Sequence, residues 1–273
     1  MEKLLLIFEN ISSVNRALII VSGITFFWLI EGIVPFKFLN YKKWRHSIPN
    51  FLLTLTTIIV NFFFAFLLVF AADWINENNF GVIYLVNSTT LVSVILGLLV
   101  LDLIGAYLPH LVQHKVKLLW YIHIVHHTDH NVDTTTANRH HPFESVVRFI
   151  FTFIGIFISG APIGLVLMYQ SISVIASQFN HANIQVSDKV DKLLSYIIVS
   201  PNMHKVHHHY ELPYTDSNYG NIFSIWDRLF GTYMELNKDK IVYGVDTDLD
   251  EVKNSKFTSL IERPFKKWFN HFN

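Results

Sequence analysis

Apolar residues fall in long blocks along this chain, not at the regular spacing of a surface helix or strand. The stretches Ala17 to Phe36 and Phe51 to Ala72 are each about long enough to cross a hydrocarbon core of roughly 30 Å. A third runs from Val82 to Leu108, with a polar patch at Asn87, Ser88, Thr89 and Thr90 marking its outer end. A fourth, Val146 to Ala176, is broken by Ser159-Gly160-Ala161-Pro162-Ile163-Gly164, which is strong turn chemistry. Each arm then has about 14 residues, roughly 20 Å of helix, which predicts a re-entrant or tilted hairpin; two thin crossings would serve equally well. After His181 the chain turns polar and mixed in charge, as a cap outside the bilayer does.

Composition strengthens the membrane reading. Hydrophobic residues make up 51% of the chain and charged residues only 15%, against about 25% charged in an ordinary soluble domain. The first apolar run lacks a basic flank followed by a small-residue cleavage site, so no cleavable leader is expected. Lys37, Lys42, Lys43 and Arg45 crowd the link between the first two spans, whereas no Lys or Arg occurs from His46 to His114. By the positive-inside rule that link is cytoplasmic, the link carrying Asp73 and Glu77 is outside, and His110 emerges on the cytoplasmic side. The twenty-four Phe and eleven Tyr are read as membrane packing and interfacial belt.

Thirteen of the fifteen histidines fall in two windows, His110 to His141 and His181 to His209. His110 and His114 are four apart, while His123, His126, His127 and again His204, His207, His208 read His-x-x-His-His. On a helix such spacings put imidazoles on one face, with Cβ atoms roughly 5–6 Å apart. Neutral imidazole suits Fe, Zn, Cu and Ni, and eight or more such donors exceed what one ion can take, so two ions are implied. The chain has no cysteine, which removes thiolate zinc, iron–sulfur and disulfide readings. Both windows must lie on one side of the membrane to share a site, and the hairpin provides that return. His46, His130, His140, His209 and His271 fall outside the pattern and are read as ordinary satisfied polar residues.

The order His110-x-x-x-His114, His123-Ile124-Val125-His126-His127-Thr128, Arg139-His140-His141-Pro142-Phe143-Glu144, Asn180-His181-Ala182-Asn183, Pro201-Asn202-Met203-His204-Lys205-Val206-His207-His208, Asn218-Tyr219-Gly220 and Trp226-Asp227-Arg228-Leu229-Phe230-Gly231-Thr232 resembles the fatty acid hydroxylase and sterol desaturase superfamily. The match covers roughly residues 95 to 235. The resemblance implies an integral-membrane, non-haem di-iron oxidoreductase that uses O2 and two electrons to hydroxylate or desaturate a C–H bond of a lipid such as a sterol or fatty acyl chain. It places metal ligands on His110, His114, His123, His126, His127, His204, His207 and His208, with His181 a further one. Ser177 stands where some hydroxylases have another histidine, and Leu111 where many relatives have a basic residue. Pro109, lacking an N–H, suits the first turn of a new helix or a kink at the membrane edge.

Metal-bound imidazoles usually donate their other N–H to a carboxylate or carbonyl. Glu144 is the leading acceptor, with Asp129 and Asp227 weaker ones, and Asn218 and His141 complete the residues placed behind the ligands. Asp102 lies inside the third apolar span, where an ionisable group is costly, and so joins them as an orienting, channel-lining or structural group. No catalytic side chain outside the metal centre is singled out. Iron is the expected metal, with zinc able to replace it during preparation. With no Gly-x-Gly-x-x-Gly after a strand and no cluster framework, the electrons are expected from a separate reductase, ferredoxin or cytochrome. Nucleic acid is not an expected partner.

The predicted fold is therefore all-α, one membrane domain over 1–273: spans in 1–108, the histidine-motif region with its hairpin in 109–235, and a cytoplasmic tail in 236–273. Two other classes compete. A histidine-rich metal transporter places its ligands along the spans, and a zinc-dependent membrane hydrolase needs a general base such as His-Glu-x-x-His, a motif this sequence lacks.

Overall fold

The computed structural model describes residues 1–86 and 88–272, so Asn87 of the predicted polar patch lies outside the described residues. Helices make up most of the described chain, and the extended pairings within it are isolated bridges. Helix α1 (Glu2–Glu9) precedes α2 (Ser13–Ile33), which starts where the Ser12 side chain accepts from Asn15 N. Helix α3 (Lys43–Asn78) follows, then the single turn α4 (Val82–Leu85) and α5 (Thr90–Asp102). A π-helical stretch, Leu103–Tyr107, carries α5 into α6 (Leu108–Lys115). Among the described residues, four segments are long and apolar enough to cross a membrane: Ser13–Ile33, Lys43–Leu85, Thr90–Lys115 and Pro142–Ser159. The protein is an integral membrane protein.

Helix α3 begins eight residues before the apolar run that predicts it. Its first two turns are polar, and they are helical because they have partners in the cap: His46 Nε2 lies 2.8 Å from Asp129 Oδ1, and Asn50 donates to Thr135 Oγ1 at 2.9 Å. Apolar length alone cannot see such partners. Pro109 sits in the first turn of α6 as expected, and the π-helical stretch just before it absorbs the missing N–H.

After α7 (Lys117–His127), the predicted hairpin is present as α8 (Pro142–Ser159) and α9 (Ile163–His181). Its arms are 18 and 19 residues long, roughly 27 Å each, because the polar residues at each base are helical too. At the tip Gly160 adopts φ 78°, a left-handed conformation. A Cβ on Gly81 would stand 2.3 Å from Gly160 Cα, so the tip rests against the turn that ends α3. The hairpin thus reaches the far end of the longest span. Gly160→Ala would force both a left-handed alanine and a clash with Phe80 O, 2.6 Å from the added Cβ; about 1–3 kcal/mol of stability should be lost. Gly32, with nothing within 4 Å of an added Cβ, supplies the control. Equal melting temperatures for G160A and G32A in detergent would contradict the tip contact.

Between the spans, Ala71, Ile75, Leu101, Ile156, Leu165 and Val166 form the main core. Helix α1 lies at the hairpin-tip end, where its Leu5 carbonyl closes on Gly164. The opposite end carries the cap: α10 (Asp188–Leu194), α11 (Pro201–His207), α12 (Ile225–Leu229), α13 (Glu251–Asn254) and α14 (Phe257–Phe272). Much of the predicted tail is the helix α14, whose Leu260 and Pro264 are buried while Phe265, Phe269 and Phe272 are exposed.

Candidate metal centre

Four elements deliver nine imidazoles to the cap end of the bundle. Helix α6 carries His110 and His114, α7 carries His123, His126 and His127, the last residue of α9 is His181, and α11 with its C-cap supplies His204, His207 and His208. They sort into two sets: His110, His114, His123, His127 and His207 in one, His126, His181, His204 and His208 in the other, with donor atoms of each set within 4.8 Å of one another.

The two His-x-x-His-His triplets explain the sorting. In each, the first and last histidines are an i,i+4 pair on one helix face, and the middle one is rotated off that face. The pair His123/His127 enters the first set while His126 crosses to the second; the pair His204/His208 enters the second while His207 crosses to the first. The sets share a wall, since the rings of His127 and His208 stand 4.8 Å apart and stack at 24°.

Each tautomer is fixed from behind where a protein acceptor reaches it. His110 Nδ1 lies 2.8 Å from Tyr219 O, His207 Nδ1 2.6 Å from Ser217 O, and His181 Nδ1 2.7 Å from Ser177 O. Glu144 Oε2 stands 3.2 Å from His123 Nδ1. These contacts leave the Nε2 atoms facing inward. His126 and His181 approach to 3.1 Å between Nε2 atoms, His181 and His204 to 3.0 Å, and His123 and His127 to 3.2 Å. Two nitrogens bound to one cation at about 2.1 Å and tetrahedral or smaller angles lie roughly 3.0–3.4 Å apart. The Nε2 atoms of His110, His114 and His207, and both nitrogens of His208, are buried without a protein partner.

Charge state agrees with that use. Burial first, then neighbouring imidazoles, hold His126, His127, His204 and His208 well below the ordinary histidine range. His207 is lowered to about 3 for the same reasons. Metal ligation requires neutral imidazole. An all-nitrogen donor set in two parts, seven of its nine residues buried, fits a pair of imidazole-preferring transition-metal ions.

The Ser217–Gly220 turn supplies two of the orienting carbonyls, and the carboxylates singled out in the sequence hold it. Asp227 accepts from Tyr219 N at 2.7 Å and Gly220 N at 2.9 Å. Asn218, at φ 51°, donates to Met203 O and Met234 O. Asp102 accepts from Ile222 N, Phe223 N and Trp226 Nε1, tying the third span to the same segment. Asp227 thus holds the backbone of the turn that carries the orienting carbonyls, and Asp102 braces the segment that follows it.

Three residues sit differently from expectation. His141 stands outside both sets: its Nδ1 accepts from Phe143 N as the N-cap of α8, and its Nε2 reaches Ile261 O. His140, read as an ordinary polar residue, instead stacks on His126 at 4.6 Å and places Nδ1 2.9 Å from Glu144 Oε1. Asp129 turns away from the cage to His46, Asn131 N and Thr136 Oγ1. Its carboxyl is held below the usual range against the cost of burial, chiefly by His46. His46, His130, His209 and His271 lie outside both sets.

Glu144 thus bridges His123 and His140. Glu144→Gln keeps the shape and removes the charge, and metal affinity should fall about 10–100-fold. Chelator competition on the purified variant reads this directly; native-like affinity would mean that the carboxylate does not support the cage.

Comparison with known proteins places this geometry in context. The sequence profile described as fatty acid hydroxylase matches residues 94–232, about half of the chain. The chain is 28% identical over 141 residues to ornithine lipid hydroxylase OlsE of Rhizobium tropici, covering 52% of this chain and 41% of that protein. It is 29% identical over 146 residues to alkylglycerol monooxygenase of Homo sapiens, and 32% over 148 residues to that of Danio rerio, in both cases 52% of this chain and 30% of the relative. The chain thus spans less than half the length of these relatives. No solved structure matches it. The profile match and the histidine pattern it encloses establish that the chain belongs to the fatty acid hydroxylase family.

Proposed function

We propose that this protein is a membrane-bound, O2-dependent lipid hydroxylase of the monooxygenase type, holding two iron ions in the histidine cage. The observation that carries the reading is the division of nine imidazoles, seven on buried residues, into adjoining sets of five and four, in a chain similar to a lipid hydroxylase and to alkylglycerol monooxygenases. The bound iron pair would supply reduction of dioxygen and oxidation of a C–H bond. The chain's own residues fix the imidazole tautomers through Tyr219 O, Ser217 O, Ser177 O and Glu144 and so direct the free nitrogens inward.

The substrate class is a membrane lipid, entering from the bilayer beside α6, α8 and α9, whose residues line a crevice leading to the histidines. Electrons come from a separate donor protein. The cage faces the cytoplasm: the basic link Lys37–Arg45 lies at the cage end, as the pairing of His46 with Asp129 requires, and such links stay inside. Bunching of the donors at one end of the spans disfavours a transporter, whose ligands would follow the spans.

Expression in a lipid-rich host, followed by untargeted lipid mass spectrometry, tests the activity. The native protein should make a species heavier by one oxygen, or lighter by two hydrogens, that is absent with His126→Ala. A lipid profile identical in the two would contradict the oxygenase reading. Zinc found in place of iron would reflect the affinity order and decide nothing about activity.

A further inference from the structure

Arg148 is the second of only two charged residues in the hairpin, Pro142 to His181, the other being Glu144. It stands six residues into α8, roughly 9 Å beyond the helix start, inside a segment apolar enough to span the bilayer. An ionisable group there is costly and marks a functional site by default. Its nearest acid is Glu144, 3.9 Å away, beyond hydrogen-bond reach. That carboxylate is already engaged by His123 and His140. The Arg148 side chain remains 40% exposed.

The crevice that Arg148 lines explains its placement. It runs between α6, α8 and α9 and is also lined by His110, His123, His126 and His204, members of both histidine sets. Two charged side chains, Arg148 and Glu144, thus share a single opening with both candidate metal sites, the carboxylate lying against His123 and His140 and the guanidinium facing the opening. Beyond Arg148, Gly105, Thr152 and Tyr169 close together: a Cβ on Gly105 would stand 3.4 Å from Thr152 Oγ1 and 3.5 Å from the Tyr169 hydroxyl. The enclosed space is ≈ 40 Å³, room for roughly three water-sized groups when about 10–15 Å³ admits one. A long hydrocarbon chain does not fit there, so only a short stretch of a lipid reaches the donors. A guanidinium offers that stretch nothing unless it carries an oxyanion, which the planar fork binds in two places.

We infer that Arg148 binds the oxyanion of a membrane lipid, a carboxylate or a phosphate, at the mouth of the histidine crevice. The carbon presented to the centre then lies within a few bonds of that group. The second statement rests on the oxygenase reading; the first does not. Arg148 is a specificity-determining residue, distinct from the imidazoles that hold metal.

Native mass spectrometry of the iron-loaded, full-length protein tests the binding half, with oleate and phosphatidylglycerol as oxyanion probes and methyl oleate and diacylglycerol as neutral counterparts. The native protein should retain one or both oxyanion probes over their counterparts, and the two arms distinguish carboxylate from phosphate. Arg148→Met should weaken that retention about tenfold, Arg148→Lys should recover part of it, and metal content should stay at the native value in both. Equal retention of charged and neutral probes by the native protein, unchanged retention by R148M, or loss of metal from R148M with lipid retention intact would each overturn the inference. Tandem mass spectrometry of any oxygenated lipid tests the positional half: an oxygen near the headgroup supports it, and one far along the chain refutes it. Arg148-dependent retention without any oxygenated product would sink the oxygenase reading while leaving the binding site standing.

Discussion

Stripping metal from the purified protein should lower its thermal unfolding midpoint by roughly 10 °C or more, because the native fold buries imidazole nitrogens that no protein group satisfies. The Nε2 atoms of His110, His114 and His207 and both nitrogens of His208 lack protein partners in the interior, and an unsatisfied buried polar group costs about 1–3 kcal/mol. A ligand present at about a thousand times its Kd stabilises by about 4 kcal/mol, and each 1 kcal/mol moves the midpoint of a protein this size by about 2–4 °C. Acid should worsen the loss. The folded values of His126, His127, His204 and His208 lie well below the ordinary 6.5, and that of His207 is about 3. Between these limits the unfolded chain binds more protons than the folded one, so stability of the metal-free protein falls as pH drops from about 6.5 towards 3. Scanning fluorimetry with and without chelator, at pH 7.5 and 5.5, checks both parts. An unchanged midpoint after verified metal removal would show that the fold does not depend on the ions.

Arg139→Met destabilises the protein by about 3–5 kcal/mol, the scale of a buried charged group removed from its partners. Arg139 is 2% exposed. Its Nε donates to Val125 O at 3.0 Å, Nη1 to Asn50 Oδ1 at 2.9 Å, and Nη2 to Thr128 Oγ1 and Asn254 O. One side chain therefore joins α3, the histidine-bearing α7 and the cap at α13. Methionine fills the volume and leaves these acceptors unpaired. Lysine keeps the charge without the fork, so it should recover only part of the loss. The variant should also release metal faster, since Val125 lies between His123 and His126. A midpoint within the scatter of surface substitutions would remove Arg139 from the framework of the site.

The grouping of the histidines was legible because helical periodicity acts locally. Spacings of three and four residues fix which imidazoles share a face, and the turn at Ser159–Gly164 announces the return that brings the two windows together. What escaped depends on contacts distant in sequence. His140 and His141 are adjacent in an irregular segment, where no helical register distinguishes them; N-capping of α8 by His141 turns its ring away and leaves His140 against His126. Asp129 stands two residues after a cage histidine, yet its partner His46 comes from the base of α3. The buried Lys205, which donates to Ile184 O and lies over the Phe36 ring, reads in sequence as an ordinary charge beside His204. Helix α14 is different. Its apolar residues recur three and four apart from Phe257 to Phe272, a signal that the polarity of the segment obscured.

Counting iron per chain, with X-ray absorption at the iron edge after anaerobic Fe(II) loading, tests the two-ion cage most directly. Two irons per chain in a shell of light-atom donors with the multiple-scattering signature of imidazole is the predicted result. One iron or none per chain, or a shell without that signature, would contradict it.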